Sequence, residues 1–466
     1  MFNVKINNKT FFAEKGQLLS DLLIKNGFKV PHICGGRGAC GKCTVNVNGE
    51  NVLSCKYEVQ SDIEVLLPEN NVIESWCGAE RSGDLSKNMC FALDIGTTTL
   101  ALALVSVDGG SIIETVTRTN PQVVFGADVI SRIDYCTKNG VEALNKLLID
   151  EINSMANELY EDILPTMYVS GNTTMLHILF GENPSLMGVA PYTPVFTKGK
   201  AIDGEKIGIT HSEKIISLDC ISAFVGADLV AGLNFVGLPE AGKYNLLVDL
   251  GTNAEILLFS KDKILCTSAA AGPCFEGANI SCGMSATAGA ITEFDIDANG
   301  VLNLKTIFDA KPCGICGTGL IDVISTLLKN GIIDETGYME CETYHITENV
   351  YINQNDIRQY QLAKSAVCSA IEILMNIGNV DFEQIDKMYI SGGFSAKINI
   401  EKAVYTGLFP KALKNKASPI NNSSLLGTVK FALEKGALGE LLNKAEYVDL
   451  SLNSEFNDLF IENMEF

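Results

Sequence analysis

Two stretches of this 466-residue chain repeat one unusual pattern. Residues 91–107 read FALDIGTTTLALALVSV, and residues 246–259 read LLVDLGTNAEILLF. Each runs an apolar strand into Asp, an apolar residue, Gly, Thr and a small polar residue, then opens a second apolar strand. Two copies of one pattern predict a duplicated architecture. Asp94 and Asp249 fall at the ends of buried strands, where a carboxylate can face a cleft. Gly96-Thr97-Thr98 and Gly251-Thr252-Asn253 are tight turns rich in N–H and hydroxyl donors. Facing one another, such turns can clasp a polyphosphate such as ATP, with the aspartates positioning Mg2+ or an attacking water. A third element, Lys387 to Phe394, is a strand ending in Gly392-Gly393, which lets a flat ring or sugar approach the backbone.

The N-terminal segment carries a second, unrelated signal. Residues 2–6 and 10–13 read as short strands around an Asn-Asn-Lys turn. Residues 17–26 have leucines at helical spacing with Gly27 at the C-cap position. Asn48-Gly49 between two apolar runs predicts a hairpin, and residues 62–67 predict a further strand. Hairpin, helix, loop, hairpin is the order of a β-grasp fold. Into this order fall Cys34, Cys40, Cys43 and Cys55, with gaps of five, two and eleven residues. Four thiolates are what two bridged irons require, and the segment resembles the plant-type 2Fe–2S ferredoxins with a first gap one residue longer. Glycines 35, 36, 38 and 41 let the loop wrap closely, so that N–H groups can point at sulfur. Zinc is the alternative, but its sites usually use two CxxC-like pairs and this segment has one. The loop also overlaps a dinucleotide-like GxGxxG and a near phosphate loop, but no strand precedes the first and Cys43 replaces the Ser or Thr of the second.

Composition removes other classes. A net charge of -21 repels nucleic acid and anionic lipid, so no nucleic-acid or membrane partner is expected. The N-terminus lacks the apolar run of a secretory signal, and no apolar run approaches a membrane span. Fifteen cysteines then favour metal ligation and burial in a cytoplasmic protein over a disulfide scaffold.

Further runs accompany the repeat: Asn120-Pro121-Gln122, Phe125 to Arg132, Ser170 to Met175, Phe224 to Asp228, Ala270 to Gly277 and Gly314 to Gly319. The ordered turns and Gly-Gly motif resemble the ATPase superfamily of actin, sugar kinases and heat-shock chaperones. With the cluster segment, the whole resembles the ATP-dependent reductive activators of corrinoid proteins. The resemblance implies an α+β ferredoxin domain followed by a duplicated, ribonuclease H-like α/β ATPase. It also implies ATP-coupled electron transfer from the 2Fe–2S cluster to reduce a partner's Co(II) to Co(I), as in anaerobic metabolism. It assigns Asp94 and Asp249 as catalytic, the two turns and Gly392-Gly393 as nucleotide-binding, and the four cysteines as cluster ligands. Asp228 and Glu276 are further candidate carboxylates or structural acids. A corrinoid protein or other metalloprotein would accept the electron, a low-potential donor would supply it, and a homodimer is compatible with this reading. A redox-sensing nucleotide binder and a small-molecule kinase stay open as alternatives.

The expected layout is a cluster domain over 1–70, a linker over 71–90 and the ATPase over 91–466. The ATPase divides into halves of about 91–240 and 241–445 and an acidic tail, 446–466. Members of that family carry an extra linker and middle domain before the ATPase, whereas here residue 91 begins it almost at once. Cys77 and Cys90 read as buried or incidental. Cys313 and Cys316 read as a packed turn with a redox alternative, and His177 as a satisfied core residue. The tail reads as docked on the ATPase, with a contact for a partner as the alternative.

Overall fold

The structure is a computed structural model that describes residues 1–6, 9–26, 28, 43–67, 88–126, 128–297, 299–393, 395–434 and 439–466. Cys34, Cys40, the turn at 7–8, Gly27, the loop motifs around Gly36 to Lys42, the linker with Trp76 and Cys77, and Phe394 lie outside the described residues.

At the N-terminus, strands β1 (Phe2–Ile6) and β2 (Lys9–Ala13) form a hairpin, followed by the helix Leu19–Lys25. Strands β3 (Thr44–Val47), β4 (Glu50–Leu53) and β5 (Ile63–Leu66) complete a sheet of order β2-β1-β5-β3-β4, with β1 and β5 parallel. This is the predicted β-grasp order. Asn48 and Gly49 both take positive φ, 52° and 94°, as a two-residue hairpin of this hand requires. Alternate residues Val4, Ile6, Val45, Val47, Ile63 and Val65 close one core against Leu19, Leu22 and Leu23.

The repeat becomes two sheets of the same plan. In the first, β6 (Met89–Ile95), β7 (Thr99–Ser106) and β8 (Ser111–Thr119) form an antiparallel meander. Strand β9 (Leu164–Gly171) lies parallel to β6, and β10 (Ala201–Asp203) and β11 (Ser212–Ser217) extend that edge, giving the order β10-β11-β9-β6-β7-β8. In the second, β12 (Tyr244–Leu250), β13 (Ala254–Phe259) and β14 (Ile264–Ala269) repeat the meander. A small separate sheet follows, made of β15 (Ala290–Ile296), β16 (Leu302–Thr306) and β17 (Gly314–Ile315). Strand β18 (Ile385–Ser391) then lies parallel to β12, and β19 (Ala417–Pro419) and β20 (Ala445–Tyr447) close the two edges. Two sheets built from a three-strand meander plus a parallel fourth strand form the duplicated ribonuclease H-like arrangement.

The apolar run of β6 is continuous because both its faces are covered. Phe91, Leu93 and Ile95 face a core that includes Leu144, Leu148 and Ile152 of the helix Glu142–Leu159. The alternate residues Cys90 and Ala92, with Ala101, Ala103 and Val105 of β7, face Leu425, Val429 and Ala432 of the helix Ser423–Glu434. The small residues on that face let the helix approach closely. It also crosses the helix Ala227–Val236, whose Leu229 and Leu233 pack against Leu247 and Leu257 of the second sheet. A Cβ on Gly427 would stand 1.7 Å from the Ala231 carbonyl oxygen, so only glycine allows this crossing. Asn234 Nδ2 donates to the Gly427 carbonyl across it at 3.0 Å.

The tail has a surface within the chain. Helix Ser454–Glu462 lies on the long helix Gln354–Gly378. Gln361 Nε2 donates to the Met464 carbonyl at 2.8 Å, the buried Lys364 ammonium donates to the Glu465 carbonyl, and the Phe466 ring stacks on Tyr360. No described helix is long and apolar enough to cross a membrane.

Candidate functional site

The parallel strand beside each repeat decides where its aspartate sits. In register, β9 sets Ser170 opposite Asp94, and β18 sets Ser391 opposite Asp249. Ser391 Oγ donates to Asp249 Oδ2 at 2.6 Å. Ser170 Oγ lies 3.5 Å from Asp94 Oδ1, and Ser424 Oγ donates to the same oxygen at 2.7 Å. After each serine comes a glycine crowded by the strand that leads into the phosphate turn. A Cβ on Gly171 would meet the Ile95 oxygen at 2.8 Å, and one on Gly392 the Leu250 oxygen at 2.1 Å. Ser-Gly on the neighbouring strand is therefore as much a part of the repeat as Asp-x-Gly-Thr.

One cleft of about 1600 Å³ gathers the expected residues. Asp94, Gly96, Thr97, Thr98, Asp249, Gly251, Thr252, Asn253, Gly392 and Gly393 all line it, with Asp228, Glu255, Glu276 and Ser424. Its volume exceeds the usual span of ligand pockets, ~300–1,000 Å³, so a nucleotide with its metal fits. Asp228 and Glu276, ambiguous from sequence, both face it. Thr252 Oγ1 donates to Glu276 Oε2 at 2.6 Å.

The electrostatics of the cleft are those of crowded carboxylates. Burial, opposed by the Ser424 hydroxyl and reinforced by the Asp249 charge, pushes Asp94 up to about 7. Burial and then the charges of Asp249 and Asp94 push Asp228 up to about 7. Burial also raises Asp249, against the Ser391 hydrogen bond. Glu255 stands directly opposite Asp249 on β13 and is raised by burial, then by Asp228 and Asp249. Such a set is poorly neutralised by the chain itself, and hard oxygen donors of this kind suit Mg2+.

At the N-terminus the β3–β4 hairpin brings its ends together: Ser54 N–H donates to the Cys43 carbonyl at 3.0 Å. Cys43 and Cys55 are buried, and their sulfurs lie 3.2 Å apart. That is well beyond a disulfide, about 2.05 Å, yet close enough for both thiolates to bind one metal centre. The donor set therefore fits a 2Fe–2S cluster at the two ligands the structure describes.

Two residues read as bystanders, Cys90 and His177, are buried. Cys90 is buried in β6. His177 accepts at Nε2 from Val195 N–H at 2.9 Å, bonds through Nδ1 to the Thr173 carbonyl at 2.7 Å and stacks on Phe196. Of the expected packed turn, Cys316 is buried at the start of the helix Gly317–Lys329, while Cys313 is exposed. Sequence reasoning did not single out Glu255 or Ser424, and gave Ser170 and Ser391 no role. Glu255 carried a signal, being the one charge in the run Ala254–Phe259.

Three family models match the chain. Residues 3–69 match the family model of the 2Fe-2S iron-sulfur cluster binding domain. Residues 89–241 match the RACo middle region, and residues 243–466 match the C-terminal ASKHA domain of RACo. The match to the RACo middle region falls on the first of the two like halves. The chain is 26% identical over 576 aligned positions to the corrinoid activation enzyme RamQ of Eubacterium limosum, covering 96% of each chain. It is 26% identical to a Methanosarcina barkeri [Co(II) methylated amine-specific corrinoid protein] reductase, covering 79% of this chain and 75% of that one. A solved reductive activator for a corrinoid, iron-sulfur protein superposes with a TM-score of 0.73 at 24% identity, covering 100% of this chain and 98% of the other.

Proposed function

We propose that this chain, which belongs to the family of reductive activators of corrinoid proteins, passes single electrons to a corrinoid protein and uses ATP to drive the reduction of its Co(II) to Co(I). The observation that carries the reading is the coexistence, in one chain, of a converging thiol pair and a cleft in which two phosphate turns face each other with their aspartates.

The energetic need for both parts is simple. Plant-type clusters sit near about -400 mV. The Co(II)/Co(I) couple lies lower, and moving one electron uphill by ~100 mV costs about 2.3 kcal/mol. ATP binding and hydrolysis can offset that gap by changing the conformation of the activator. Cys34, Cys40, Cys43 and Cys55 would hold the 2Fe–2S cluster, which supplies a one-electron relay. The turns Gly96 to Thr98 and Gly251 to Asn253 present N–H and hydroxyl groups to the phosphates. Gly392 packs against the Leu250 backbone and turns the chain, and Gly393, with open space where a Cβ would stand, leaves the backbone bare for the nucleoside. Asp94 and Asp249 would hold Mg2+ against the phosphates, with Asp228 and Glu255 adding negative potential. The serines at 170, 391 and 424 hold the two carboxylates in place. The electron donor is a low-potential reductant, and the acceptor is a corrinoid protein.

The test is optical. The anaerobic protein, with cluster, is mixed with a Co(II) corrinoid protein and a low-potential reductant, with and without Mg-ATP. Co(I) should form only with ATP, and not with Cys43→Ser or Asp249→Asn. Equal Co(I) formation without ATP, or by the Cys43→Ser variant, would overturn the reading.

A further inference from the structure

The two phosphate turns are alike in sequence and unlike in the charge that holds them. Thr252 donates to a carboxylate on the cleft wall, Glu276. Behind Thr97 is a guanidinium, Arg132, fully buried. Its Nη2 donates to the Thr97 carbonyl at 2.5 Å, its Nε to the Gly126 carbonyl at 2.9 Å and its Nη1 to Gln122 Oε1 at 3.1 Å. The remaining neighbour of Nη1 is the sulfur of Met175, at 3.1 Å. Among the described residues no carboxylate lies within ion-pair distance of it. The acid whose charge reaches it is Asp128, at the N-cap of the same helix and beyond ion-pair distance. A buried guanidinium so weakly compensated is unfavourable, and an apolar side chain of similar size would serve packing better. The arrangement is accounted for if a ligand completes the counter-charge.

The backbone says where that ligand lies. Asn120, also fully buried, donates from Nδ2 to the Gly96 carbonyl at 2.8 Å. In a trans peptide the C=O and N–H point opposite ways. Pinning the Gly96 and Thr97 carbonyls inward, by Asn120 and Arg132, therefore aims the N–H groups of Thr97 and Thr98 outward. Thr97 and Thr98 line the cleft, and neither N–H has a protein acceptor among the described residues. Asn172 Nδ2 fixes the Thr97 hydroxyl oxygen from the side at 2.9 Å. Successive N–H groups aimed at one point form an anion nest, and here a cation stands directly behind it.

We propose that Arg132 is a positioning residue for the nucleotide polyphosphate: through the Thr97 carbonyl it orients the first phosphate turn, and its charge is the buried counter-charge that the phosphates complete. The first turn is accordingly the anion-preferring half of the clasp, and the second turn, bonded to Glu276 on the cleft wall, is the half that needs a cation. This rests on the reading of the cleft as a nucleotide site.

The experiment measures binding of ATP, ADP and adenosine by calorimetry to the anaerobic holoprotein. It uses wild type, Arg132→Gln, which keeps a donor and loses the charge, and Arg132→Lys, which keeps the charge and loses the fork. Arg132→Gln should weaken ATP and ADP roughly tenfold to a hundredfold, the size expected of one charge acting across a peptide group in a partly buried site. Adenosine affinity should stay within about twofold, and Arg132→Lys should fall between. If Arg132→Gln does not fold, a selective loss for ATP over adenosine in Arg132→Lys carries the same conclusion. Equal losses for all three ligands would make Arg132 a structural residue, and unchanged ATP affinity would remove it from the site altogether; either overturns the proposal. Failure of the wild type to bind any of the three would overturn the nucleotide reading itself.

Discussion

The crowding of carboxylates in the cleft has a cost that one substitution exposes. Asp228 is pushed from 3.8 to about 7, by burial and then by Asp249 and Asp94. Each pH unit corresponds to about 1.4 kcal/mol, so ionising Asp228 in the nucleotide-free protein costs on the order of 4 kcal/mol. The side chain is partly open to the cleft, and solvent screening leaves about 2 kcal/mol of that. Because the folded-state pKa is raised, the stability contribution is full below pH 3.8 and is lost as pH rises through about 7. Asp228→Asn removes the charge with little change of shape. The nucleotide-free variant should therefore be more stable than wild type by about 1–2 kcal/mol at pH 8, and the difference should shrink towards zero near pH 4. Urea denaturation followed by far-ultraviolet circular dichroism, at several pH values and without metal, reads this directly. Mg-ATP should stabilise wild type more than the variant, because the same charge then has a counter-ion. A variant less stable than wild type by the same amount at every pH would falsify the reasoning, since Asp228 would then act as a hydrogen-bond acceptor for the Leu229 N–H rather than as an uncompensated charge.

Three other outcomes are open to measurement. Cys43→Ser and Cys55→Ser should each abolish the visible absorption of the 2Fe–2S cluster while leaving ATP affinity within about twofold; a retained cluster spectrum would exclude these two as ligands. Gly427→Ala should destabilise the protein by about 2–4 kcal/mol and slow ATP-dependent Co(I) formation, because its Cβ would stand 1.7 Å from the Ala231 oxygen and push two crossing helices apart; wild-type melting would refute the packing. Deleting residues 463–466 removes the carbonyls that Gln361 and Lys364 bind, leaving a buried ammonium unpaired, and should cost about 3 kcal/mol or more in urea denaturation.

What could be read from sequence is what lies close together along the chain. Cysteine spacing, the Asn48-Gly49 hairpin and the Asp-x-Gly-Thr turns are local patterns, and their strands form as the apolar alternation demands. Pairing between distant segments is not written locally. Ser424 binds Asp94 across 330 residues, and Ser170 reaches Asp94 only because β9 lies parallel to β6. Arg132 was visible as the end of a recognisable run, but its role depends on a carbonyl 35 positions earlier. A serine or a buried arginine has no periodic signature, so nothing short of the fold identifies them. Glu255 is the exception: a carboxylate inside an apolar strand asks for an explanation in the sequence itself.

The helix Ser423–Glu434 has a consequence for how the chain acquires its shape. Its Leu425, Val429 and Ala432 cover the face made by Cys90, Ala92, Ala101, Ala103 and Val105, which belong to the region 89–241. That face has no such cover until synthesis passes residue 434. The middle region therefore leaves the ribosome as a half-finished layer, and its last structural member is supplied by the far end of the polypeptide. Expressed alone, residues 89–241 would expose an apolar surface. The boundary between the two matched regions divides the sequence at a point where the folding unit is not divided.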